Sequence, residues 1–376
     1  MRARRASGRF RERAVIARGS RRLQRLRPED PATVGPYRLV GRVGSGGMGT
    51  VYAGSADGLS GYLAIKVIHG AHAADPEFRR RFAREARLMA RVDSPCVPRF
   101  VHADVEATLP WLATEYVPGP TLRHHVERYG ALRGGMLLGL AVGAAEALRA
   151  VHAVGIVHRD LKPGNVILAP GAPKVLDFGI AYAHEDPTLW LRLRRMRRRV
   201  SELRIPHPPS PPYRTGAPIA SGAPGGDRVG TPGWISPEQY RGAHATRRSD
   251  VFLWGALVAF AAARHDPFGH GHPKVLARRV LHEEPDLAGL PPGLEELVLA
   301  AMAKSPGDRP ESAELLRRAL ALAPGGGRGP DGAPAGTDRQ RVRALLDREW
   351  TRVSARLPKP PRRSRLPVPF GPRRPE

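Results

Sequence analysis

The 376 residues suffice for about two average domains, and 41% hydrophobic content supplies a sizeable core, which excludes wholesale disorder. Lys+Arg (61) outnumber Asp+Glu (35), a formal net charge of +26, while Gly (42) and Pro (39) lack the three-residue period of collagen. The single cysteine, Cys96, excludes an internal disulfide framework or a multi-thiolate metal site, and points to an intracellular chain.

Lysine is confined to Lys66, Lys162, Lys174, Lys274, Lys304 and Lys359, so the positive charge is nearly all arginine. Abundant Arg, Ala, Gly and Pro read as the composition of a GC-rich genome rather than as a nucleic-acid surface. No specific nucleic-acid partner is expected. The longest apolar run, Val251 to Ala263, is shorter than the roughly 20 residues a bilayer span takes. Met136 to Val157 is interrupted by Glu146, Arg149 and His152, and no apolar signal core follows the basic N-terminus. A cytoplasmic chain without a transmembrane segment is the expectation.

In chain order, residues 1–34 read as a flexible basic arm. Tyr37–Val43 and Thr50–Gly54 are strand-like and flank the glycine cluster VGSGGMGTV; Tyr62–Ile68 reads as a third strand. The stretch ADPEFRRRFAREARLMARV predicts a helix with Asp75 as N-cap and Pro76 at its first position. Phe78, Phe82, Glu85 and Met89 share one face of it. A carboxylate on an apolar face is costly unless a cation waits inside. From Leu122 onward the pattern is mainly helical, so a small strand-rich part precedes a larger helical one, with a cleft between.

Gly44, Gly46 and Gly49 make a G-x-G-x-x-G between two strands, where backbone N–H groups can close over phosphates; the dinucleotide version of this spacing runs from strand into helix instead. In AIKV, Lys66 sits on an otherwise apolar strand, and Glu85 is its expected partner. HRDLKPGN (His158 to Asn165) and LDFG (Leu176 to Gly179) are the most specific strings. Asp160 is the candidate general base for an attacking hydroxyl, and Lys162 a cation for the transferring phosphoryl group. Asn165 and Asp177 offer the oxygen ligands that a hard cation such as magnesium prefers.

Together with GTPGWISPEQ, SDVFLWG and DRP in the same order, these strings resemble the eukaryotic-type (Hanks-type) Ser/Thr protein kinases, particularly their bacterial branch. The resemblance implies an α+β, two-lobed protein kinase fold over residues 35–323. Its small β-rich N-lobe with one key helix would cover about 37–117, and its larger helical C-lobe about 118–323. It implies ATP and Mg2+ (with Mn2+ as an alternative) as cofactors, and proteins with Ser/Thr acceptors as substrates. Gly44, Ser45, Gly46, Gly47, Met48, Gly49, Val51, Ala64, Lys66, Glu85, Thr114, Glu115 and Val117 would then face ATP. Thr114 takes the gatekeeper position, with Glu115 to Val117 as the hinge. Asp160, Lys162, Asn165 and Thr231 would carry catalysis, and Asn165 and Asp177 the metal. Phe178 and Gly179 complete the DFG string, Glu238 and Arg309 would pair, and Asp250 would anchor the catalytic loop. Arg159, preceding the base, implies control by an anion such as phosphate. Thr188, Ser201, Ser210, Thr215 and Ser221 are the candidate autophosphorylation sites.

The stretch from Asp177 to Glu238 is longer than this family usually shows. Within its insertion, about 184–229, TLWLRLRRMRRRVSEL sets Leu189, Leu193, Met196 and Val200 on one helical face and arginines over the rest. Residues 187–202 therefore read as a surface for an acidic partner or an anionic membrane, beside the plainer reading of a helix packed on the kinase body. The tail, 324–376, is rich in Gly, Pro and Arg. A helix over 338–357 would align Val342, Leu345, Leu346, Trp350, Val353 and Leu357 for docking on the kinase or on a partner. His124, His125, His265, His270 and His272 form no ligand set and read as solvated loop histidines. Three rivals are weaker. An inactive scaffold would normally have lost Lys66, Asp160, Asn165 or Asp177. A small-molecule phosphotransferase leaves GTPGWISPEQ and Lys162 unexplained. A nucleic-acid-binding protein rests on charge alone.

Overall fold

The computed structural model describes residues 23–178 apart from 59, residues 231–323 and 336–350, and residues 353, 355 and 357–359. Strands β1 (Thr33–Val34), β2 (Tyr37–Gly46), β3 (Gly49–Ser55), β4 (Leu63–Ile68), β5 (Phe100–Asp104) and β6 (Trp111–Glu115) form one antiparallel sheet of order β1-β2-β3-β4-β6-β5. Alternation along the strands splits its side chains between two faces. Tyr37, Leu39, Tyr52, Leu63, Ile65 and Trp111 cluster on one. Lys66, flanked by the opposite residues Val51 and Leu112, lies on the other.

Helices α1 (Gly70–Ala73) and α2 (Pro76–Met89) follow β4. The Asp75 carboxylate caps α2 by accepting from the Glu77 N–H at 2.8 Å, with Pro76 at the first position as the sequence predicts. Phe78, Phe82 and Met89 are buried, fixing which side of the helix faces inward.

The arm expected over 1–34 is corrected for its second part. Residues 23–34 pack on the N-lobe: Gln24 bridges to Arg42 through two backbone bonds of 2.9 Å, and β1 pairs with β2. Leu23 is buried against Ala53 and Tyr116. Asp30 accepts from the Tyr52 hydroxyl (2.7 Å) and pairs with Arg42 (3.2 Å), both charged side chains being nearly inaccessible. Burial and this bond to Asp30 push the Tyr52 hydroxyl up to about 12. The arginines around Leu23 hide this anchor from a composition reading. Residues 1–22 lie outside the described residues, as does 179–230 with the basic helix read at 187–202.

The C-lobe is built on α4 (Gly134–Ala153), surrounded by α3 (Leu122–Tyr129), the hairpin β7 (Val166–Ala169) and β8 (Ala172–Val175), and helices α5 (Pro237–Tyr240), α6 (Arg247–Ala263), α7 (Pro273–His282), α8 (Pro292–Ala301) and α9 (Ser312–Ala321). By length and composition α4 could cross a membrane, yet 78% of its apolar window is buried in the lobe, which is what an all-round apolar core helix looks like. The Trp254 indole of α6 donates to the Ala141 carbonyl at 2.9 Å, locking the two central helices.

The tail helix α10 (Asp338–Glu349) lies on α4 with Val342, Leu345 and Leu346 buried. The helix expected to 357 ends earlier. Trp350 is no longer helical (φ −95°, ψ 34°); its side chain turns into the core, where its indole donates to the Ala169 carbonyl at 2.8 Å. Val353 packs against that core outside the helix, while Leu357 is half exposed.

Candidate active site

The turn between β2 and β3 is the glycine cluster. Gly46 pairs with Gly49, leaving Gly47 and Met48 as a two-residue turn whose Ser45–Gly47 edge is exposed. Among the described residues a side chain on Gly44, Gly46 or Gly47 would meet no atom within 4 Å, which leaves room beside the loop. Gly49 differs: a Cβ there would lie 2.4 Å from the Val67 carbonyl oxygen, so its glycine serves strand packing. Thr114 lies in register with Ala64 on the adjacent strand, and Val117 is buried just beyond β6. Glu115 pairs with Lys174 at 3.0 Å, a partner that no sequence pattern suggests.

Asp160, Lys162, Asn165 and Thr231 meet. Lys162 Nζ donates to Asp160 Oδ1 (2.9 Å) and to Thr231 Oγ1 (3.1 Å), although Thr231 is 69 residues away in sequence. Asn165 Nδ2 donates to Asp160 Oδ2 (2.9 Å) and to the Asp160 carbonyl (2.8 Å). The loop carrying them is pinned from below. Asp250, fully buried at the start of α6, accepts from the N–H groups of His158 (2.7 Å) and Arg159 (2.8 Å) and from His152 Nε2 (2.8 Å). This clamp holds Arg159 at φ 68°, a left-handed conformation that is costly for a residue with a side chain. Sequence reasoning does not assign His152 to the site; its signal is a polar residue, one of three with Glu146 and Arg149, inside a mostly apolar helix. Burial lowers the pKa of His158, which packs against Phe178 with ring centroids 4.9 Å apart. Gly179 lies outside the described residues.

The expected pairing of Lys66 with Glu85 is corrected for this conformation. Lys66 Nζ pairs with Asp177 Oδ1 at 3.4 Å, and the Lys66 charge holds the Asp177 carboxyl below its usual range. Glu85 does face inward, but onto a cavity of about 350 Å³ lined by Arg81, Arg84, Leu88, Arg159 and His244. Its Oε2 has no hydrogen-bond partner among the described residues. The position of α2 relative to the sheet decides which carboxylate the ammonium meets, and Asp177 is the nearer one here.

Burial pushes the Glu85 carboxyl up to about 7, against the charges of Arg159 and Lys66. A folded-state value above the unfolded one contributes stability that is full below about 4.5 and is lost as pH rises to about 7. The stability gained by Glu85→Gln over wild type should therefore grow as pH rises from about 5 to about 8. Urea denaturation midpoints of both proteins across that range check this, and a pH-independent difference would refute it.

Glu238 and Arg309 pair as expected, at 2.7 Å, both buried. Thr231 to Ser236 precede Glu238, so the ion pair fixes the segment that carries Thr231. The loop reading holds for His265, His270 and His272, which lie outside the helices and are partly or fully exposed, His265 and His270 approaching Asp286 and Asp266. It fails for His124 and His125, which are on α3, with His125 buried. Among the described residues no cluster of three His, Cys, Asp or Glu could hold a metal.

A curled sheet carrying a glycine turn and a lysine, joined through a hinge to a helical lobe presenting Asp160, Asn165 and Asp177, defines a protein kinase fold. Residues 37–198 match the family model of the protein kinase domain. A probable serine/threonine-protein kinase of Thermomonospora curvata, PkwA, is 38% identical over 294 residues, covering 78% of this chain and 35% of its own length. The serine/threonine-protein kinase AfsK of Streptomyces coelicolor is also 38% identical, covering 78% of this chain and 32% of AfsK. The crystal structure of the Mycobacterium tuberculosis PknI kinase domain superposes with a TM-score of 0.53 at 26% identity, covering 77% of this chain and 97% of that domain. The chain belongs to the bacterial eukaryotic-type Ser/Thr protein kinases. It spans about a third of the length of PkwA and AfsK, at 35% and 32%.

Proposed function

We propose that the chain transfers the γ-phosphoryl group of ATP to Ser or Thr hydroxyls of proteins. The observation that carries this reading is the Asp160–Lys162–Thr231–Asn165 constellation, closed by hydrogen bonds across 69 residues of sequence. ATP as substrate would lie under the glycine turn. Ala64, Val51, Thr114, Glu115 and Val117 would bound the adenine, the N–H groups from Gly44 to Gly49 would meet phosphate oxygens, and Lys66 would hold the α- and β-phosphates. Asp160 orients the acceptor hydroxyl and takes its proton as the new oxygen–phosphorus bond forms and the bond to the departing ADP oxygen breaks. Lys162 offsets charge on the transferring group from one side while holding Thr231 on the other. Positioning and electrostatics supply most of the acceleration.

The donor set suits a hard cation. Asn165 spends both N–H donors on Asp160, which leaves its oxygen as the ligand end, and Lys66 keeps Asp177 ionised. Asn165 and Asp177 would hold Mg2+, or Mn2+, which when bound neutralises phosphate charge. Arg159 and the arginines around Glu85 suit regulation by a phosphorylated residue. The cytoplasm, where ATP is supplied, is the compartment this reading implies.

Transfer of labelled phosphate to a generic acceptor protein tests the proposal. Wild type should label it, and Lys66→Met should lose on the order of 10²-fold in rate, as when one electrostatic donor is removed. The same incubation, read by mass spectrometry, should show phosphate within residues 184–231. Equal labelling by both proteins, or none by wild type, would refute the assignment.

A further inference from the structure

The tail after residue 336 touches the kinase body at three separated places. At its start, Arg339 pairs with Asp93 through two bonds, one of 3.0 Å, on the loop that follows α2. In its middle, Trp350 is almost wholly buried and donates to the Ala169 carbonyl. Near its described end, Leu357 Cδ1 lies 3.5 Å from where a side chain on Gly61 would begin, at the N-lobe corner before β4. The next residue, Tyr62, stacks edge-on against Tyr116 of the hinge with ring centroids 5.9 Å apart. The tail thus runs from the end of α2, along α4 and the base of β7, to the far side of the hinge.

The contact in the middle bears on the cleft. The Ala169 side chain belongs to one buried cluster with Ile167 and the hinge residue Val117, against which Leu176 packs. That cluster lies below the hinge where adenine would rest. The helix beneath is shaped for its occupants: Gly135, Gly139 and Gly143 recur every four residues along one face of α4. A Cβ on Gly139 would lie 2.9 Å from Trp350 Cε3, one on Gly135 would overlap Glu349, and one on Gly143 would lie 2.4 Å from Pro173 of β8. Tail and hairpin occupy adjacent stretches of a single glycine ridge, so both are set by the same helix.

We propose that Trp350 is a positioning residue for the nucleotide cleft: its indole N–H and the tail on either side of it hold the floor beneath the hinge and tie the N-lobe corner to the C-lobe. The proposal rests on the kinase reading above. It makes the tail a working part of the ATP site, although the tail contributes no group to the reacting atoms. An indole bonded to a β7 carbonyl and wedged against the glycine ridge fixes both height and tilt of that strand. Losing the bond frees the floor without unfolding the lobe.

Steady-state kinetics on the full chain tests this. Trp350→Phe keeps an aromatic ring in place but deletes the donor together with part of the indole's volume; Leu357→Asp leaves Trp350 seated and breaks the N-lobe contact. Each should raise KM for ATP threefold or more with kcat changed less than twofold, and the double variant should exceed neither by much, because both interrupt one connection. Gly139→Val, which unseats Trp350, should reproduce the effect. Calorimetric Kd values for ADP give a readout that needs no turnover and should rise in parallel. If KM and the ADP Kd are unchanged in Trp350→Phe and Leu357→Asp, whatever happens to the melting temperature, the positioning role is wrong. If wild type binds ADP with the expected variant pattern yet transfers no phosphate, the kinase reading fails and the positioning role stands.

Discussion

Asp160→Asn is expected to lower the rate of phosphoryl transfer by about 10²–10⁴-fold, the range for removing a positioned general base. Both carboxylate oxygens are engaged, Oδ1 by Lys162 and Oδ2 by Asn165, so the group is aimed before substrate arrives. An asparagine keeps the shape but turns one acceptor into a donor, which then faces either the Lys162 ammonium or the Asn165 amide. It also cannot take a proton. The side chain is 13% exposed and sits at the cleft surface, so water can solvate the mismatch. The loss should therefore appear in kcat, with little change in thermal stability. Labelled-phosphate assays beside a melting curve separate the two, and a wild-type rate in a folded Asp160→Asn protein would remove Asp160 from the mechanism.

Arg309→Ala should cost about 3–5 kcal/mol of stability, the range for breaking a buried ion pair from one side. The guanidinium is fully buried and makes two parallel bonds to Glu238, at 2.8 and 2.7 Å, with further bonds to the carbonyls of Arg248 and Ala303, each at 2.8 Å. Alanine would leave the buried Glu238 carboxylate without its counter-charge, keeping the Ser249 hydroxyl, and would take from the Ala303 carbonyl the donor it has in Arg309. Lysine would replace a planar fork with a point charge and should recover only part of the loss. Burial pushes the Glu238 carboxyl up, but bonds from Arg309 and Ser249 outweigh it and hold the group below its usual value. A depressed carboxyl contributes stability above the unfolded-state value and loses it as pH falls through the folded one. The wild-type advantage should thus shrink below about pH 4.5. Urea denaturation of the three proteins at neutral and acid pH measures both effects. Unchanged midpoints for Arg309→Ala would show that the pair contributes nothing.

What the sequence reveals here is what short spacing can encode. Asp75 before Pro76 marks the start of α2 because a cap acts over two residues, and HRDLKPGN brings Asp160 to Asn165 within one turn of chain. The DFG and DRP strings place Asp177 and Arg309 through the family resemblance, and the structure supplies their partners. The choice Lys66 makes between Glu85 and Asp177 depends on how α2 sits against the sheet, a tertiary freedom that no local pattern fixes. Leu23 is missed because one buried leucine among arginines carries no periodicity. Trp350 and Leu346 are legible as an apolar face, but their destination becomes visible only through the glycines of α4. The four-residue recurrence of those glycines is the sequence signal for a groove that another segment fills.

The buried Asp30–Arg42–Tyr52 set has a consequence for where this molecule can be divided. The family match opens at Tyr37, yet the counter-charge for Arg42 comes from upstream of it. A chain trimmed to the matched region would strand a guanidinium inside the sheet, deprive Tyr52 of its acceptor and uncover Ala53 beside the hinge. The smallest autonomous piece is thus larger than its recognisable signature, and any graft or chimera of this domain has to carry the residues from Leu23 with it.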